Sequence, residues 1–229
     1  MKQLQTTGGI AALCLSGLFV GLLFLLAVML PGQGLGPHTL DDPATGIPFV
    51  ATSSLPVMIA LIYIGNALVF VPIMLALYQR LRAAAPAVMQ VVVVAGLIAS
   101  GLFLAYGMIN LVGAPTVVSA YQHDAARGGA VYLALRLTAN AMSAGALFAC
   151  GWAISLVSWT ALRGGGLPKL LSSIMLLAGI SMILSFALLS VGLIGVLFAP
   201  VWSAWLGFVL LRKRAHVRDT GRQAVVAGA

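Results

Sequence analysis

The stretch PKLLSSIMLLAGISMILSFALLSVGLIGVLFAPVWSAWLGFVLL, residues 168–211, decides the architecture. Lys169 is its one charge in 44 residues. About 20 helical residues cross the roughly 30 Å of bilayer hydrocarbon, so this run is too long for one crossing and suits two. Gly192, Gly195 and Pro200 predict a break between Ser190 and Pro200. The composition agrees with lipid as the solvent. Of 229 residues, 62% are hydrophobic and 7% charged, against roughly 45–50% and about 25% in soluble domains. Twelve Lys and Arg and four Asp are too few to cover the surface of a soluble domain.

Upstream, four further apolar runs are long enough to span. They cover about 9–30, 54–78, 87–112 and 129–160, and the quoted stretch adds 168–190 and 196–212. The first run is longer than a signal-peptide core and lacks a small-x-small cleavage site, so it reads as a retained helix. Pro56 sits where a missing N–H costs nothing, whereas Pro72 predicts a kink. Four consecutive valines at 91–94 are strand-like in water, but a lone strand in lipid leaves its backbone unpaired, which favours helix. The expectation is an all-α polytopic bundle of six spans in one transmembrane domain, with a basic tail over 213–229. Five crossings with a re-entrant last piece is the alternative. Residues 31–48, rich in Pro and Gly, are expected to be a loop.

The charges then orient the chain. Lys2, Arg80, Arg82, Arg163, Lys169, Arg212, Lys213, Arg214, Arg218 and Arg222 fall on one side of the six-span layout. His38, Asp41, Asp42, His123, Asp124 and Arg127 fall on the other. This positive-inside pattern predicts both termini in the cytoplasm. The net charge of +8 therefore reports orientation, with the basic tail a topology anchor or, alternatively, a grip on anionic lipid headgroups, and nucleic acid is not an expected partner. Trp159, Trp202 and Trp205 near span ends read as interfacial. Cys14 and Cys150 in apolar runs read as buried small hydrophobes.

Intramembrane polar residues are where function can be sought. Arg136 is the one formal charge well inside an apolar run. Tyr132, Arg136 and Asn140 are spaced by four, with Ser143 three further on, which predicts one shared helix face. Tyr63, Asn66, Tyr106 and Asn110 fall at the same level of neighbouring spans. The seven residues Tyr63, Asn66, Tyr106, Asn110, Tyr132, Arg136 and Asn140 predict an outer-half chamber for an anionic or polar ligand such as a lipid headgroup. The structural reading is that the Asn and Tyr side chains join helices, while Arg136 snorkels or pairs with Asp124 or Asp42. All three histidines lie outside the spans, so a bundle haem has no axial ligand, and His38 with Asp41 and Asp42 is a weak metal set. No HExxH, GxSxG or Walker A sequence occurs, and no span holds an acid for ion coupling. No catalytic set, metal or cofactor is expected. Gly17 and Gly21, as GxxxG, are candidate helix-packing residues, and Gly96, Ser100, Gly101, Ala141 and Gly145 add small-residue faces.

The segments GGGLPKLLSSIMLLAGI (164–180) and APVWSAWLGFVLLRKR (199–214) resemble the closing part of bacterial membrane proteins grouped as domain of unknown function 4386. Leu167, Pro168, Ala178, Gly179, Pro200, Trp202, Trp205, Gly207 and Leu211 carry the resemblance, and Gly9 in the first helix is similar. It implies a six-helix protein of a bacterial cytoplasmic (inner) membrane. Arg136 and Asn140 match no motif of that family, which has no assigned activity or cofactor. The sequence thus favours a non-catalytic membrane subunit or scaffold packed against partner membrane proteins and lipid. The alternative is a transporter or binding protein for a lipid or small polar or anionic solute.

Overall fold

A computed structural model describes residues 2–34, 39–185 and 189–212. The chain is all-helical. Helix α1 (Lys2–Phe24) continues through a π-helical turn (Leu25–Met29) into a last turn at Leu30–Gly32. A 3₁₀ turn (Thr39–Asp41) leads to the short α2 (Pro43–Thr52). Five long helices follow: α3 (Leu55–Leu81), α4 (Pro86–His123), α5 (Ala125–Gly164), α6 (Lys169–Leu184) and α7 (Leu189–Leu211). Four helices, over Gln3–Gly32, Leu55–Leu81, Pro86–His123 and Ala125–Gly164, are long and apolar enough to cross a membrane. The multi-pass membrane character read from composition therefore holds.

Several boundaries differ from the sequence expectation. The Pro/Gly-rich loop contains α2: Asp42 caps it by accepting from the Ala44 N–H, and Pro43 enters the first turn. Residues 113–128 are not a loop either. Helix α4 runs on through Pro115 to His123, and Asp124 alone turns the chain, its carboxylate accepting from the Ala126 and Arg127 N–H groups at the start of α5. The last break precedes Leu189, so Gly195 and Pro200 lie inside α7 rather than ahead of it. Pro72, where a kink is expected, lies inside α3.

From α3 onward, short connections make successive long helices antiparallel neighbours. Each packs along its neighbours in sequence, and α7 packs on α1, so the six long helices close a ring. One apolar cluster drawn from all six fills it, including Leu15, Phe70, Met74, Met89, Ile154, Leu171 and Trp202. Trp202 is thus a core residue, not an interfacial one, because the apolar face of α7 turns inward there. Trp159 is exposed, with the Arg163 guanidinium 4.3 Å over its ring. Cys150 is buried, but Cys14 is exposed on the outer face of α1, contrary to the buried reading.

Glycine lets the backbones meet at the ring's seams. A Cβ on Gly151 would lie 2.6 Å from the Gly179 carbonyl oxygen, and one on Gly179 would lie 2.7 Å from that of Gly151. Gly9 and Gly207 oppose each other in the same way between α1 and α7. The expected packing pair behaves differently. Among the described residues, nothing beyond its own helix backbone lies within 4 Å of a Cβ on Gly17, and Gly21 would meet only Ile62, at 3.8 Å.

The two ends of the ring differ in charge. At one end the Arg80 side chain donates to the Gly166 carbonyl from Nε (2.7 Å) and to the Val209 carbonyl from Nη1 (3.0 Å). That joins the end of α3 to the α5–α6 turn and the end of α7, and the Gly9–Leu211 approach brings the start of α1 there too. Arg82, Arg163, Lys169 and Arg212 belong to the same end. The opposite end carries Asp41, Asp42, Asp124 and Arg127. His38, Lys213, Arg214, His216, Arg218, Arg222 and the rest of the tail lie outside the described residues.

Candidate functional site

Helix α2 builds the site. It folds back over the acidic end of the ring, where Ile47 packs with Val117 of α4 and Tyr132 of α5. Gly46 permits this approach, since a Cβ there would overlap the Tyr132 phenol. The phenol in turn donates to the Leu40 carbonyl, which ties the segment preceding α2 to α5. Beneath this cover lies a cavity of about 100 Å³. Its walls are mostly apolar and come from four helices: Phe49 and Val50 of α2, Pro56 and Ile59 of α3, Ile109, Gly113, Ala114 and Val117 of α4, and Leu135 of α5. The polar lining is Tyr106, Asn110, Tyr132 and Arg136.

Four of the seven expected chamber residues therefore meet around one cavity, and three do not line it. Tyr63 stands behind Tyr106, ring centroids 4.1 Å apart, and its phenol interacts with the Ser143 side chain. Asn66 is buried deeper in α3, its Oδ1 without a hydrogen-bond partner. Asn140 is exposed on the outside of α5. A four-residue step turns a helix by about 400°, so each step drifts about 40°. Two steps carry Asn140 about 80° away from Tyr132, off the inward face that continues through Ala139 and Ala146. Asn110 spends its amide donor on the Tyr106 carbonyl one turn back (2.8 Å).

Arg136 has an acidic partner, but it is Asp41 rather than Asp124 or Asp42, which serve as helix caps. Nη2 of Arg136 lies 3.3 Å from Oδ1 of Asp41. The side chains are 30% and 55% exposed, respectively. Nε of Arg136 is buried and has no hydrogen-bond partner. An arginine cannot shed its charge, so this guanidinium sits at the cavity wall with donor capacity unused. Among the described residues no acid lines the cavity itself. Sequence reasoning missed the apolar contribution of α2. The usable signals were Asp42 before Pro43, an N-cap followed by an N1 proline, and the apolar Ile47, Phe49 and Val50. Among the described residues no three His, Cys, Asp or Glu side chains are placed to hold a metal ion.

No curated protein and no solved structure matches this chain. A family match runs over residues 18–214, from the last third of α1 past the end of α7 and through every element that forms the cavity, and the chain belongs to that family, described as Domain of unknown function (DUF4386).

Proposed function

We propose that this protein is a six-span protein of a bacterial cytoplasmic membrane, with both termini inside, that binds a small amphipathic ligand in the outer half of its bundle. The orientation follows from the charge difference between the two ends, since basic residues favour the cytoplasmic side. The binding reading rests on one observation, a largely apolar cavity that carries a cation and three hydroxyl or amide groups. Apolar walls with a few convergent polar groups are how small-molecule sites are built. A cavity of about 100 Å³ takes a handful of non-hydrogen atoms, enough for a headgroup or a short stem.

Native mass spectrometry of the protein extracted in mild detergent tests this reading. The wild type is expected to retain a bound lipid or small amphiphile. Ala114→Phe places a ring in the cavity from the α4 wall and is expected to lower that occupancy at least tenfold, with the fold intact by circular dichroism. Equal occupancy in the two proteins would sink the binding reading.

The second reading, a non-catalytic subunit packed against a partner membrane protein, is favoured by the open Gly17. Its exposed backbone, one turn from the half-buried Gly21, invites a second helix. Gly17→Leu is expected to detach any copurifying subunit without lowering thermal stability. Unchanged assembly would count against that role.

A further inference from the structure

The bound chemistry can be narrowed from the geometry of Arg136, given the binding reading above. The Nε–H and one Nη2–H of an arginine lie side by side on one edge of the guanidinium plane, spaced to meet the two oxygens of a carboxylate or phosphate. In this protein only half of that edge is used. Nη2 faces Asp41 at 3.3 Å, long for a charge-assisted bond, which is usually about 2.7–2.9 Å. Nε beside it is buried with no partner. A buried donor left unpaired is unfavourable, and the cavity that Arg136 lines supplies no acceptor with a formal charge. The carboxylate that half satisfies it arrives from the 3₁₀ turn before α2, on a side chain that is 55% exposed.

We propose that Arg136 receives the anionic head, a phosphate or carboxylate, of an amphiphile whose apolar part occupies the cavity, and that Asp41 competes with that head for the same guanidinium edge. The arriving oxyanion accepts from Nε and Nη2 together, and Asp41 gives up its place on that edge. The apolar walls from Phe49, Ile59, Ile109 and Leu135 select an amphiphile over a bare ion. Tyr106 and Asn110 stand on the same wall as further hydrogen-bonding groups. Two sources carry this chemistry, the headgroup of an anionic lipid and a free anionic solute with a short alkyl stem.

The test compares the purified full chain with two neutral variants, Asp41→Asn and Asp41→Ser, so that a folding defect in one leaves the other. Calorimetric titration uses hexyl phosphate as the anionic probe and hexanol as the neutral one. Removing the competitor is expected to tighten hexyl phosphate binding about two- to fivefold, the scale of a partly exposed ion pair, and to leave hexanol binding unchanged. Asp42→Asn removes the same charge from the α2 cap and is expected to leave the ratio of the two probes as in the wild type. In parallel, native mass spectrometry from nanodiscs compares retained phosphatidylglycerol with phosphatidylcholine. A gain in phosphatidylglycerol identifies the lipid source; a gain in hexyl phosphate alone identifies the free solute; either supports the proposal. Unchanged or weaker hexyl phosphate and phosphatidylglycerol binding in both Asp41 variants overturns it, as does a wild type that binds neither probe. The Ala114→Phe comparison decides the cavity reading separately.

Discussion

Gly179→Leu is expected to pull the α5–α6 seam apart and to destabilise the bundle by about 3 kcal/mol or more. A Cβ at this position would sit 2.5 Å from the Ser155 hydroxyl, 2.7 Å from the Gly151 carbonyl oxygen and 3.0 Å from the Ser155 nitrogen. Two of those atoms are backbone, so no rotamer change relieves the overlap and the helices must separate. Leucine is the better helix former by roughly 1 kcal/mol, and the clash has to outweigh that gain. Gly101→Leu supplies the contrast, since among the described residues nothing beyond its own helix backbone lies within 4 Å of its Cβ position. It is expected to be neutral or slightly stabilising. Thermal unfolding in detergent, followed by size-exclusion recovery, reads both; if the two variants melt together, the close seam is not as described.

Arg136→Met is expected to cost at least tenfold in binding of an anionic amphiphile while moving stability by no more than about 1 kcal/mol. The stability argument is a balance of two small effects. Loss of a partly exposed ion pair with Asp41 costs about 0–1 kcal/mol. Loss of a buried, unpartnered Nε returns part of an unfavourable desolvation, itself about 1–3 kcal/mol. The two nearly offset, so the fold gains little from keeping a cation at this cavity. Methionine keeps the apolar stem and its packing, which confines the change to charge and hydrogen bonding. Calorimetry with hexyl phosphate, alongside the melting temperature, separates the outcomes. Retained binding removes Arg136 from the site, and a collapse in stability assigns it a structural role.

The cores of the helices were legible because long apolar runs in a chain with few charges admit one solution in lipid. What escaped was structure outside those cores. Helix α2 has ten residues and two prolines, so its sequence carries the marks of a loop while its first turn uses one of those prolines as a helix start. The extension of α4 past Val112 escaped because Pro115 and the polar Thr116, Ser119 and Gln122 mark a loop when the criterion is hydropathy alone. Arg136 was singled out correctly as a charge needing an explanation, but its partner lies 95 residues away. Spacing along one helix cannot choose among three aspartates on other segments. Asn140 shows the same limit in reverse: a four-residue step from Arg136 satisfied the pattern, and accumulated helical rotation carried it out of the site. The glycines illustrate it again, since GxxxG drew the eye to Gly17 and Gly21 while the backbone contacts are made by Gly9, Gly151, Gly179 and Gly207.

The closure of α7 onto α1 sets a schedule for biosynthesis. Gly8 and Gly9, at the start of the chain, finish against Ala76, Gly207 and Leu211, the last of these some 200 residues later. At roughly 5–20 residues per second, the first helix waits about 10–40 s after its own synthesis for its final neighbour. Through that interval its Gly207-facing side lacks its final cover. The ring is therefore closed only once α7 has joined α1.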